Sequence, residues 1–137
     1  RAALATLQVA KKENSQKRME EVGTQVKNRF EKLIKDKNLE NYVSIKGHPS
    51  WLLVIFKDEN GKPCNGFRTL IFQELIKLGI FFRGTFVPTL SHSLEDIEKT
   101  FQAFDKVFDL YKTALSEGGY KKYLVGEPIK PVFRKYN

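Results

Sequence analysis

The longest amphipathic pattern in the chain begins at Leu94 and continues to Leu115. Apolar residues recur there at alternating steps of three and four, which places them on one face of an α-helix. They are Leu94, Ile97, Phe101, Phe104, Phe108, Tyr111 and Leu115. Ser93 and Asp96 have the spacing of an N-terminal capping box, and Gly118-Gly119 is a typical helix end. The pattern predicts a long helix with one apolar face that another layer must cover.

Three further helices are predicted upstream of this one. Residues 1–12 are strong helix formers. A second helix is expected from Asn14 or Ser15 to about Lys37, and a third over residues 67–78, ending at Gly79. The apolar positions of the second helix are Met19, Val22, Val26, Phe30 and Leu33. Gly23 lies within it and costs about 1 kcal/mol relative to alanine, which indicates close packing at that point.

Short apolar runs rich in aromatic and β-branched residues predict strands at 51–57 and 42–45. Two short strand segments are expected at 80–82 and 85–87. The Asn60-Gly61 pair is compatible with a type I′ turn. Residues 120–137 contain Gly126, Pro128 and Pro131, so they are expected to run extended over a surface. Few strands and long helices predict an α+β fold, a two-layer sandwich whose small, mainly antiparallel sheet is covered by long helices.

Composition narrows the class of protein. A chain of 137 residues fits one domain. Its 11 Phe, 5 Tyr and 1 Trp are enough for a core, which argues against a chain disordered throughout. Cys64 is the only cysteine, so no internal disulfide is expected, and a reducing, cytoplasmic location is favoured. No apolar run approaches the roughly 18 residues that cross a membrane, so no membrane partner is expected.

The net charge of +8, from 24 basic and 16 acidic residues, leaves a second interpretation open. A basic chain can bind nucleic acid or an acidic protein. However, the basic residues are interspersed with acidic ones, as in EKLIKDKNLE, which is typical of a solvated helix face. No RNP motif, zinc-finger spacing or GxxG loop is present. A free-standing basic binding module remains the alternative hypothesis, and nucleic acid is not the expected partner. A regulatory domain that dimerises through its sheet is a third.

Residue patterns alone do not identify an active site. There is no P-loop, GxGxxG, HExxH, GxSxG or CxxC motif. The adjacent carboxylates Asp58-Glu59 and Glu95-Asp96 are explained by a turn and by a helix N-terminus. From the residues alone, the interpretation stops at an α+β domain.

A family resemblance goes further. The segments that carry it are AALATLQVAKKE, a strand ending in IFK, FRTLIFQELIKLGIFF, FVPTLSHSLEDIEKTFQAF and the ending KPVFRKYN. Together they resemble class III aminotransferases, the fold-type I group that depends on pyridoxal phosphate, and are closest to members like glutamate-1-semialdehyde aminomutase. The resemblance covers essentially the whole chain in the correct order. SHSLEDIEKT after LGIFF is its most specific part.

The resemblance implies that the chain is only the small C-terminal domain of such an enzyme. Residues 1–119 would form this domain, with 1–12 as the end of an inter-domain helix, and 120–137 would form an extended tail. The large domain, with pyridoxal phosphate and its Schiff-base lysine, would lie upstream of Arg1. The chain also lacks an initiating Met. No catalytic, cofactor-binding or metal-binding residue is therefore expected here. The chain alone should be inactive, and the parent should be a homodimer.

In such enzymes the small domain closes over the large one and forms one wall of the substrate entrance. Arg83 is then a candidate to hold a substrate carboxylate, with an inter-domain salt bridge as the alternative. His92 matches the histidine of the family's S-x-H-like loop, or else it orients the turn before Ser93. Thr89 is a further candidate. The segment between Phe82 and Phe86 is shorter than in the aminomutases, which leaves open whether the substrate is glutamate-1-semialdehyde or another carbonyl compound.

Overall fold

The computed structural model describes residues 1–130 of the chain. Its helices are α1 (Ala2–Lys12), α2 (Ser15–Asp36), α3 (Asn65–Lys77) and α4 (Leu94–Ser116), followed by a short 3₁₀ helix at Lys121–Tyr123. Its strands are β1 (Val43–Lys46), β2 (Leu52–Phe56) and β3 (Thr85–Phe86). They form one antiparallel sheet in the order β1-β2-β3. The predicted α+β class is confirmed. None of the helices in residues 1–130 combines the length and apolar character that crossing a membrane requires.

The core lies between the sheet and helices α2, α3 and α4. Along β2 the side chains alternate, with Leu52, Val54 and Phe56 buried and Leu53 exposed. Such alternation is expected of a sheet covered on one face only. On the helical side, the Phe104 ring contacts the rings of Phe30 and Phe82 edge to face, with centroids 4.8 and 5.2 Å apart. These contacts join α2, α4 and the loop before β3 into one core.

Helix α4 is capped at both ends as predicted. The Ser93 Oγ accepts from the Asp96 amide at 3.1 Å, and the Asp96 carboxylate accepts from the Ser93 amide at 2.9 Å. At the other end Gly118 has a φ of +85°, and the Gly119 amide donates to the carbonyl oxygen of Ala114 at 2.8 Å. The helix therefore begins and ends where local side-chain and backbone chemistry satisfies its free groups.

The predicted apolar face of α4 needs one correction. Leu94 is 78% exposed, because it lies in the first turn, one turn before the first buried position at Ile97. Leu115, at the other end of the helix, is half-buried. The buried face also includes Ala103, Val107 and Ala114, which the prediction left out. The helix is thus buried over a wider face and a shorter length than the spacing suggested.

Helix α2 confirms the close packing predicted at Gly23. An added Cβ there would lie 1.9 Å from the carbonyl oxygen of Pro49, in the loop between β1 and β2. Val26 and Phe30 are buried, whereas Met19, Val22 and Leu33 are only half-buried. The first half of α2 therefore lies at the edge of the core.

Residues 80–82 do not form the predicted strand. The Ile80 amide donates to the Leu75 carbonyl oxygen at 2.9 Å, which completes the end of α3 around Gly79, whose φ is +78°. Because this amide is used by the helix end, it is not available to a neighbouring strand. Phe82 instead enters the core, and Phe81 points outward.

Two turn predictions also change. A type I′ turn needs positive φ at both central residues, but only Gly61 has one, so the Asn60-Gly61 prediction was wrong. The Asp58 carboxylate shapes this turn instead, since it accepts from the amides of Asn60 and Lys62. The tail was predicted to run extended from residue 120, but it begins with the 3₁₀ turn at Lys121–Tyr123 and bends again at Val125 and Gly126. Its predicted part from Pro131 onward lies outside the described residues.

Candidate functional site

Arg83 lies on a cleft between α3, the loop after it and the tail, which we call the α3–tail cleft. The cleft has a volume of about 520 Å³. Its apolar lining is Phe72, Ile76, Phe81, Phe82, Val125 and Ile129. Its polar lining is Arg68, Thr69, Gln73 and Arg83. A mostly apolar cleft with a few polar groups is the usual form of a small-molecule site.

The tail is fixed to α3 by side chains of the helix. The Gln73 amide donates to the Tyr123 carbonyl oxygen at 2.9 Å and accepts from the Val125 amide at 2.8 Å. The Thr69 hydroxyl oxygen lies 2.9 Å from the Ile129 amide nitrogen, which donates to it. These contacts hold residues 123–129 against α3 as one wall of the cleft.

Arg68 is a site residue that sequence analysis missed. It is half-buried, and its Nη2 donates to the Arg83 carbonyl oxygen at 3.1 Å. Its guanidinium carbon lies 5.2 Å from the centre of the Phe72 ring, one helical turn away. Gly84 permits this arrangement, because it has a φ of +87° and an added Cβ would approach the Arg68 guanidinium to 3.3 Å. The only sequence signal was the arginine–phenylalanine pair at positions i and i+4 of α3.

Thr89 and His92 lie together in the turn before α4. The Nδ1 atom of His92 accepts from the Thr89 amide at 2.9 Å and lies 3.0 Å from the Thr89 hydroxyl. The His92 ring also packs on Phe86, with centroids 5.2 Å apart. Because Nδ1 accepts a backbone proton, the neutral ring carries its own proton on Nε2. These contacts match the turn-orienting role that the sequence left open for His92.

The structure does not join Arg83 to this pair. Within residues 1–130, no hydrogen bond or ion pair connects the Arg83 side chain with Thr89 or His92. The three predicted residues therefore occupy two places, one on the α3–tail cleft and one in the turn before α4.

Lys37 lies in an ion-pair cluster where the end of α2 meets α4. No lysine in residues 1–130 is buried. The Lys37 side chain, 18% exposed, is 2.9 Å from the Asp105 carboxylate and 2.8 Å from that of Asp109. Burial acts to lower the pKa of Lys37, but the hydrogen bonds and charges of the two aspartates outweigh it and raise the pKa above its ordinary value. A lysine that forms a Schiff base needs a lowered pKa, so Lys37 is a structural ion pair.

Comparisons with known proteins support the family resemblance. No protein-family model matches the chain. Over 44 residues it is 46% identical to glutamate-1-semialdehyde 2,1-aminomutase 1 of Staphylococcus carnosus (strain TM300), a match that covers 28% of this chain and 10% of that protein.

The fold is similar to part of the FumI protein of Sphingopyxis sp. MTA144, solved in its PLP internal aldimine form. The TM-score is 0.69 at 16% identity, over 90% of this chain and 29% of that one. At this identity the likeness concerns the fold. The chain spans less than a third of either protein over the matched regions. The predicted resemblance is therefore confirmed in two respects: local sequence is shared with a glutamate-1-semialdehyde aminomutase, and the α+β fold is shared with one portion of a PLP protein.

Proposed function

We propose that the chain is the small C-terminal domain of a pyridoxal-phosphate-dependent aminotransferase-like enzyme of the glutamate-1-semialdehyde aminomutase type. The main observation in support is the similarity of the fold, which extends over 90% of this chain but only 29% of the FumI chain. The 44-residue sequence match supports the same assignment. In this proposal residues 1–119 form the domain and 120–137 its tail, while a separate large domain holds the cofactor.

In the parent enzyme this domain forms one wall of the substrate entrance. Arg83 is exposed and has no ion pair within residues 1–130, so its guanidinium is free to bind a carboxylate through two parallel hydrogen bonds. Arg68 positions Arg83 by bonding to its carbonyl oxygen. His92, fixed by Thr89, presents Nε2 as a donor. When bound to the parent, pyridoxal phosphate supplies the amino-group transfer chemistry.

Helix α1 supports the presence of a docking partner. None of its residues is buried, and Leu4 and Leu7 are 62% and 67% exposed. Where α2 begins, the Ser15 hydroxyl is buried without a hydrogen-bond partner in the described part of the chain. Exposed apolar side chains and a buried polar group without a partner are each typical of a surface that another domain covers. This agrees with residues 1–12 as part of an inter-domain helix. In the parent the partners are the large domain and the second subunit of a homodimer.

The alternative, a basic binding module, has less structural support. Several exposed basic side chains on the helices pair with acidic neighbours, as Lys27 does with Glu31 and Lys99 with Glu95. Arg29 pairs across two helices with Glu98 at 2.8 Å. Mixed charges of this kind do not form the single-signed stripe that nucleic-acid binding requires.

A cofactor-trapping experiment tests the proposal. The 137-residue chain and the whole polypeptide encoded by its gene are each incubated with pyridoxal phosphate and reduced with borohydride. Mass spectrometry of the digests then locates any modified lysine. We expect specific modification at a lysine outside residues 1–137 in the whole polypeptide, and none in the chain alone. Stoichiometric modification of one lysine within the chain alone, or a gene that encodes nothing more than these residues, would refute the proposal.

A further inference from the structure

The α3–tail cleft is apolar along most of its length, yet it is open to solvent. Phe81 and Val125 are 79% and 85% exposed, and Ile76 and Ile129 are also exposed at its rim. Phe72 lies deeper and is half-buried. Exposed apolar residues gathered around one cleft mark a binding surface rather than the scattered apolar residues of an ordinary surface.

One part of this apolar cleft is positively charged. Arg68 and Arg83 both line it, and neither forms a salt bridge within residues 1–130. The groove between α2 and α4 is different, because its Arg29 is neutralised by Glu98 at 2.8 Å. The Arg68 guanidinium donates one hydrogen bond, to the Arg83 carbonyl oxygen, and has further N–H donors that an anionic ligand can bind. The cleft therefore matches an anion that also carries an apolar body.

The walls of the cleft are already in place. Gln73 and Thr69 hold the tail along α3, and Gly84 lets the Arg68 guanidinium lie against the loop that carries Arg83. A preformed site avoids the cost of ordering loops on binding.

We propose that the α3–tail cleft binds an amphipathic monocarboxylate, with the carboxylate on Arg68 and Arg83 and the apolar chain between α3 and residues 125–129. The role of Arg83 rests on the proposed function, and the class of acid that the cleft binds is added to it here. The lining residues described all lie within residues 68–129, so the proposal can be tested on the 137-residue chain.

Calorimetric titration of the 137-residue chain with decanoate, below its micellar range, tests the proposal. Decanol keeps the apolar chain and acetate keeps the carboxylate, so each ligand lacks one half of the proposed recognition. We expect saturable binding of one decanoate, and at least tenfold weaker binding of the other two. Equal binding of decanol would show a generic apolar surface and would overturn the proposal, as would the absence of saturable decanoate binding.

Three single-residue variants test where decanoate binds. Arg83→Gln and Arg68→Gln should each weaken decanoate binding about tenfold or more, which corresponds to about 1.4 kcal/mol. Lys77→Gln is the matched control, because it removes a positive charge from α3 outside the cleft and should leave affinity unchanged. Arg83 is exposed, so its variant remains informative even if Arg68→Gln disturbs folding. Unchanged affinity in Arg83→Gln would overturn the proposal. Because cofactor trapping reports a lysine elsewhere, the two proposals can fail independently.

Discussion

Replacing Gly23 by alanine should destabilise this protein, although the same change stabilises most helices. In the middle of an exposed helix, alanine is favoured over glycine by about 1 kcal/mol. At position 23 the new Cβ would lie 1.9 Å from the carbonyl oxygen and 2.5 Å from the carbonyl carbon of Pro49. Side-chain rotation does not relieve this overlap, because the obstacle is backbone. Either α2 or the loop between β1 and β2 must move.

The size of the effect follows from two opposing contributions. Overpacking a tight contact costs up to about 3 kcal/mol, and the Pro49 loop is braced by a hydrogen bond from the Trp51 amide to the His48 carbonyl oxygen at 2.8 Å. Because the overlap is with backbone atoms, the upper end of this cost applies. Subtracting the gain of about 1 kcal/mol in helix propensity leaves a net loss of about 2 kcal/mol in the free energy of unfolding.

Urea unfolding followed by circular dichroism measures this loss. Thr24→Ala, at the next position of α2, is the matched control. Thr24 is exposed, and its hydroxyl donates to the Glu20 carbonyl oxygen of the same helix, so its replacement should change stability by no more than about 0.5 kcal/mol. If Gly23→Ala were as stable as the parent chain or more so, the close approach of α2 to Pro49 would be refuted.

Two further changes test how α4 is held. Tyr111→Phe removes a hydroxyl that accepts from the Lys57 amide and donates towards the carbonyl oxygens of Lys57 and Tyr42. We expect urea unfolding to show a loss of about 1–3 kcal/mol. Burial raises the pKa of Tyr111 above its ordinary value of 10.0, so the stability that Tyr111 contributes is present below pH 10 and declines as the pH rises further. In a pH series, the free energy of unfolding of Tyr111→Phe should therefore fall less steeply above pH 10 than that of the parent chain. Ser93→Ala should cost about 1 kcal/mol at neutral pH through loss of the N-cap. Hydrogen bonds from the Ser93 side chain and amide lower the pKa of Asp96. The stability lost in Ser93→Ala should therefore become smaller as acid protonates Asp96 below pH 3.8. A loss that does not change with pH would contradict this coupling.

The parts of the fold that were predictable from sequence are those set by local chemistry. The capping box of Ser93 and Asp96 involves residues three apart, and both of its hydrogen bonds are present. Gly23 was informative because a glycine within a long amphipathic pattern needs a packing reason, and Pro49 provides it. In both cases the sequence signal lies within one helix, although the contact that explains Gly23 comes from Pro49 in a distant loop.

The wrong predictions have different physical causes. Residues 80–82 look like a strand by composition, but the Ile80 amide bonds to Leu75 instead. Leu94 matches the helical spacing, yet spacing does not show how far the covering layer extends. The first outcome is local, because the Ile80 amide completes the helix end at Gly79. The second is set by tertiary structure, which a pattern along the chain does not contain.

The contacts of the candidate site are also of two kinds, local ones and long-range ones. Thr89 and His92 are three residues apart, and their pairing is local. The contact between Arg68 and Arg83 spans 15 residues, and Gln73 reaches the tail across about 50. No periodicity along the chain signals such contacts, so the resemblance to aminotransferases suggested Arg83 but not Arg68 or the tail that completes the cleft.

The distribution of burial indicates which experiments the chain alone can support. The core formed by the sheet, α2, α3 and α4 is closed within the described residues, and Phe30, Phe104 and Phe108 are fully buried there. Helix α1 contributes no buried residue to it. A core that does not need α1 should fold without the partner that α1 contacts. Stability and ligand binding can therefore be measured on the 137-residue chain, whereas the roles proposed for α1 and for cofactor chemistry require the whole polypeptide.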